Sequence, residues 1–113
     1  MNKEIRVYLL DILNSIELIE EYVSGISFDD FTQDTGKQDS VCLRLAVIGE
    51  SVNKLPEATI QQQPSIPWNK IVGLRNFLVH DYASVSFKRI WQTIQQDLPP
   101  LKKAIQEILE NQT

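Results

Sequence analysis

IRVYLLDILNSIELIEEYV, residues 5–23, puts Ile5, Leu9, Ile12, Ile16, Ile19 and Val23 at successive spacings of 4, 3, 4, 3 and 4. That rhythm is one continuous apolar stripe on an amphipathic helix. Tyr8, Leu13 and Leu18 widen the stripe, and Glu17, Glu20 and Glu21 take the outer side. Ser24-Gly25 ends the helix, with Gly25 the expected left-handed cap. The acidic stretch Ser27–Gly36 around Phe28 and Phe31 reads as a short helical turn tucked under the core.

Working outward, a second stripe, Val41, Leu45, Ile48, Val52 and Leu55, repeats the 4, 3, 4, 3 spacing until Pro56 stops it. Gly49 lies inside that stripe at a cost of about 1 kcal/mol relative to Ala, which marks a close helix–helix approach. Residues 56–67 hold three prolines and a Gln61-Gln62-Gln63 run, a connection with at most a turn of helix. Pro67 suits the first position of a third helix running from Trp68 to about His80. Phe87, Ile90, Trp91, Ile94 and Leu98 follow a Ser86 cap, and Pro99-Pro100 is expected to break or kink that helix. Leu101, Ile105, Ile108 and Leu109 continue on a last one. No stretch alternates with period two. The expected fold is an all-α up-and-down bundle of four to five helices, one domain over residues 1–113. The two long stripes exceed what a small bundle can bury, so a dimer is expected.

Composition narrows the function. With 113 residues, 42% of them apolar, the chain can bury one core. No apolar run approaches the roughly 20 residues of a membrane span, and Met1–Arg6 lacks the start of a secretory signal. Cys42 is the one cysteine, which excludes an intramolecular disulfide and fits a reduced, cytoplasmic compartment; beside apolar residues it reads as an inert small hydrophobe. With one histidine in the chain, a His-rich zinc site is excluded too.

Charge is unevenly spread. Residues 1–40 carry three cations against nine carboxylates, a net of −6, whereas residues 41–96 are net +3 and the remainder −1. An acidic whole argues against loose nucleic-acid binding, which depends on neutralising phosphates. The basic middle leaves room for a local anionic site.

That middle contains WNKIVGLRNFLVHDY, residues 68–82. Asn76 and His80 are four apart and share a helix face, Arg75 reaches the same edge, and Tyr82 lies just beyond the expected helix end. A guanidinium offers phosphate a planar fork of donors. A histidine moves protons at a sugar hydroxyl or a leaving oxygen, and the negative pole of a helix end suits it as an acid. An amide and a phenol stabilise charge developing at phosphorus. Together these groups suit metal-independent cleavage of a ribose phosphodiester by its own 2′-hydroxyl. The plainer alternative has Arg75 paired with Asp81 or another acid and His80 capping a helix. Glu50, in the middle of the second stripe, is read as an anchor for Arg75 or for a helix end. Trp68 and Trp91 are read as core residues, and Lys102-Lys103 as solvated surface.

Arg75, His80 and Tyr82 stand in the order R-x-x-x-x-H-x-Y. This resembles the signature of the HepT-like group of HEPN-domain proteins. The likeness extends to Asp11-Ile12, Ile16, Tyr22, Ile48-Gly49-Glu50, Ile66-Pro67-Trp68, Arg75-Asn76, Trp91 and Asp97-Leu98-Pro99, nearly the whole chain. Ser51 stands where many members have Ala. The resemblance implies a dimeric HEPN bundle, the RNA-cleaving toxin of a bacterial or archaeal type II toxin–antitoxin pair. Its partner would be an MntA-like nucleotidyltransferase antitoxin. It further implies Arg75 and His80 as the catalytic pair, Asn76 as an assistant, and Tyr82 as the tyrosine to which the partner transfers AMP. RNA is the implied substrate, and no cofactor or membrane is expected. A reading from another class is a non-catalytic HEPN module that presents a ligand to a separate nucleotidyltransferase.

Overall fold

The computed structural model describes residues 1–111. Helix α1, Lys3–Val23, starts where the Asn2 side chain accepts the amides of Glu4 and Ile5. Leu9, Ile12, Ile16 and Ile19 of its stripe are fully buried, each contributing about 1.5–3 kcal/mol of hydrophobic stabilisation. Ile5 and Val23, at the two ends, are partly buried against the same core. Gly25 takes φ 74° just past the helix end, as the sequence predicts. The stripe is therefore used up inside the bundle, and the surplus invoked for subunit pairing does not lie on it. The exposed large apolar side chains are elsewhere: Met1, Val7, Leu10, Leu43, Phe77 and Val79.

Helix α2, Phe28–Thr32, is closed by a reciprocal Ser27–Asp30 capping box and inserts a fully buried Phe31 under the core. Phe31 meets Phe87 edge-on at 6.0 Å and Trp91 at 5.4 Å. Helix α3, Thr35–Asn53, begins at the Asp34 cap and buries Val41, Leu45, Ile48 and Val52. It lies between α1 and α5 and packs on both more extensively than any other pair of elements does. Helix α4, Glu57–Ile60, is the single turn allowed in the proline-rich connection. Helix α5 runs Trp68–His80, as the sequence predicts, although Pro67 caps it from outside rather than opening it.

The chain then makes a 3-10 turn, Tyr82–Ser84, and enters α6, Phe87–Gln92, through the Ser86 cap. Of the break or kink expected at Pro99-Pro100, the break does not occur. A π-helical turn, Thr93–Asp97, joins α6 directly to α7, Leu98–Glu110. There the Leu98 amide reaches back to the Thr93 carbonyl, which widens the helix just upstream of two residues that lack an N–H. The three segments follow one another without a gap, and α7 packs on α1. Lys102 is not plain solvated surface either. Its ammonium holds Glu20 of α1 at 2.9 Å, and that hydrogen bond pushes the lysine above its ordinary range. The architecture is the expected all-α bundle, with the four-to-five-helix estimate covering its long members and the short α2 and α4 lying in the connections.

Candidate active site

Packing at both ends aims α5. At its start, Trp68 is buried and its indole N–H donates to the Gln63 carbonyl at 3.0 Å, which ties the helix to the preceding connection. Further along, Leu78 is buried, with Ile71, Val72 and Leu74 partly so. Arg75 lies among these packed residues, against α3, whereas Asn76 and His80 are exposed.

Arg75 crosses α3 at Gly49. A Cβ placed on Gly49 would collide with the Arg75 Cβ, and would meet the Arg75 Cγ at 3.0 Å and the Ile71 carbonyl oxygen at 3.1 Å. The glycine thus lets the two helices touch, as its place in the stripe suggests. Beyond the crossing, Arg75 Nη2 lies 2.7 Å from Glu50 Oε2, while Nη1 donates to Asn76 Oδ1 at 2.8 Å. Glu50 also faces Lys54 at 3.8 Å. The Arg75 and Glu50 side chains are 28% and 41% exposed, so the pair adds little to stability. Its effect is geometric. It holds a guanidinium fork in one place, and by engaging Asn76 Oδ1 it leaves that amide's NH2 as the free donor end.

His80 is the last residue of α5 and is exposed. Among the described residues its imidazole makes no hydrogen bond or ion pair. Asp81 leaves the helix at φ −147° and ψ 42° while its amide still closes on the Phe77 carbonyl at 2.8 Å. Ser84 Oγ braces the turn by donating to Asp81 Oδ1 at 3.1 Å.

The turn brings Tyr82 against α3. Its hydroxyl donates to Asp39 Oδ1 of α3 at 2.6 Å. The phenol lines a cavity of about 320 Å³ with Asp39, Cys42, Leu43, Ala46, Leu78 and Val79, and Arg75, Asn76 and His80 take no part in that lining. Burial first, then the bond to Asp39, pushes the phenol well above its ordinary range. Burial also raises the neighbouring Cys42 thiol to about 11, against a smaller opposing effect of the Tyr82 hydroxyl. The site residues thus fall into two clusters: Arg75, Asn76 and Glu50, with His80 exposed at the same helix's end, and Tyr82 with Asp39 and Cys42. Sequence reading missed Asp39, since nothing local marks a carboxylate 43 positions from its tyrosine.

Among the described residues, no group of three or more His, Cys, Asp or Glu side chains is arranged to hold a metal ion. No helix among them is long and apolar enough to cross a membrane.

Comparison with protein families matches residues 12–108 to the family described as "Ribonuclease HepT-like". A protein of Caldanaerobacter subterraneus subsp. tengcongensis named "Putative RNase TTE0752" is 38% identical over 95% of this chain and 96% of its own. "Probable ribonuclease HepT" of Thermococcus cleftensis is 35% identical over 96% of this chain and 98% of its own. No solved structure matches.

Proposed function

Because the chain belongs to the HepT-like ribonuclease family, we propose that it is a metal-independent endoribonuclease, with Arg75 and His80 as its catalytic pair and Asn76 as their assistant. We further propose that it is a cytoplasmic toxin, silenced when an MntA-like nucleotidyltransferase transfers AMP to Tyr82. The observation that carries the first reading is the guanidinium of Arg75, fixed between Glu50 and Asn76 on the helix that ends in an unengaged His80.

The chemistry rests on what those groups can do. The Arg75 fork and the Asn76 amide bind the scissile phosphate and stabilise the charge that builds on its oxygens. An imidazole takes the proton of the ribose 2′-hydroxyl, the 2′-oxygen bonds to phosphorus, and the bond to the 5′-oxygen breaks. A second imidazole protonates that leaving oxygen, giving a 2′,3′-cyclic phosphate and a 5′-hydroxyl. One chain has one histidine. A two-fold homodimer brings two His80 side chains to one groove, and with the α1 stripe buried, the exposed Phe77 and Val79 beside His80 are the apolar surface for such pairing.

The test is RNA cleavage by the purified chain in EDTA. His80→Ala should lower the rate about 100- to 10,000-fold, and Arg75→Ala should weaken both binding and turnover. Both variants should stay folded, since neither side chain belongs to the core. Full cleavage by His80→Ala, with contaminating nuclease excluded, refutes the assignment.

A further inference from the structure

We propose that Asp39 is the proton acceptor for Tyr82 when that phenol attacks the α-phosphate of a nucleoside triphosphate. This rests on the reading of Tyr82 as the adenylylated residue, and adds to it a group on a different helix.

A phenol is a poor nucleophile while it holds its proton, and a positioned base removes that obstacle. Asp39 Oδ1 accepts from the Tyr82 hydroxyl at 2.6 Å, the short distance expected of an O–H donor to a carboxylate. Among the described residues Asp39 has no cation partner to compete for its lone pairs. It stands in the second turn of α3, a helix capped by Asp34 and packed on both α1 and α5. Burial of the phenol opposes its unaided ionisation, which makes an adjacent acceptor more necessary. The cavity lined by Leu43, Ala46 and Val79 leaves space beside the phenol for an incoming group.

The step balances with ATP as the co-reactant. The Tyr82 oxygen bonds to the α-phosphorus, the bond from that phosphorus to the β-bridging oxygen breaks, and pyrophosphate leaves. The phenolic proton passes to Asp39 and then to solvent. Esterified, Tyr82 has no proton left to donate, and its new phosphate is repelled by the Asp39 carboxylate. Loss of this bond removes one of the ties that hold the side chain on α3, beside its place among Cys42, Leu43 and Ala46.

The experiment incubates the full chain with a minimal nucleotidyltransferase of the MntA type and radiolabelled ATP, and tracks the label into the Tyr82 peptide. Asp39→Asn keeps an acceptor oxygen and the shape of the side chain but removes the base. It should slow labelling about 100-fold or more with little change in KM for the chain, and circular dichroism should show it folded. Asp39→Glu should recover part of the rate. Labelling of Asp39→Asn should climb more steeply with rising pH than that of wild type, because without the acceptor attack depends on phenolate already formed. A merely structural role would leave that profile's shape unchanged. Labelling of wild type and Asp39→Asn at equal rates overturns the role of Asp39 alone. Absence of label on wild-type Tyr82 overturns the reading of Tyr82, and this proposal with it.

Discussion

Gly49→Ala is the sharpest test of how α3 and α5 build the site. Two effects oppose each other. Alanine is favoured over glycine in a helix interior by about 1 kcal/mol. Against that, the added methyl runs into the Arg75 Cβ and lies 3.1 Å from the Ile71 carbonyl oxygen, atoms that are fixed to the α5 backbone and cannot swing aside. Overpacking of this kind costs about 1–3 kcal/mol, occasionally more, and here it falls on one of the two most extensive helix contacts in the molecule. Because the Arg75 Cβ must shift outright, the cost falls in the upper part of that range and the collision should win by about 1–2 kcal/mol, which lowers Tm by roughly 4–16 °C in a domain of this size. Gly73→Ala is the internal control, because a Cβ there meets no atom within 4 Å and should stabilise by up to about 1 kcal/mol. Thermal unfolding of both variants measures the difference, and RNA cleavage measures its consequence: a shift of α5 near 1 Å at the Arg75 fork should cost about 100-fold in rate. Gly49→Ala melting at or above wild type would refute the close-approach reasoning.

Glu50→Gln should move stability by less than about 1 kcal/mol, because the ion pair it breaks is partly exposed, yet lower RNA cleavage roughly 10- to 100-fold by untethering Arg75. A normal rate with this variant would show that the guanidinium needs no tether. Cys42 keeps its proton in the folded chain up to about 11, whereas in the unfolded chain it ionises around its ordinary value of 9.0. Its stabilising contribution is therefore complete below about 9 and is lost as pH rises toward about 11. Chemical denaturation across that window should show a shallower fall for Cys42→Ala than for wild type, and equal slopes would count against the buried, protonated thiol.

What the sequence disclosed and what it hid divide along a physical line. Periodicity reports burial along one helix, so the stripe of α1 and the limits of α5 could be read directly, and Gly49 stood out because a glycine inside an apolar stripe must serve packing. Periodicity says nothing once the chain leaves a helix. Spacing placed Tyr82 just past His80, but it could not tell that after the turn at Asp81 its hydroxyl bonds to Asp39 of α3. The paired prolines signalled an irregularity but not its form or place: they forbid ordinary hydrogen bonds at their own positions, and the π turn moves the accommodation upstream, where no residue advertises it. Arg75 and Tyr82 nevertheless share a dependence on α3, the first through Gly49 and Glu50, the second through Asp39 and Cys42. A modification that breaks the Asp39 bond therefore acts on the same helix that fixes the Arg75 fork.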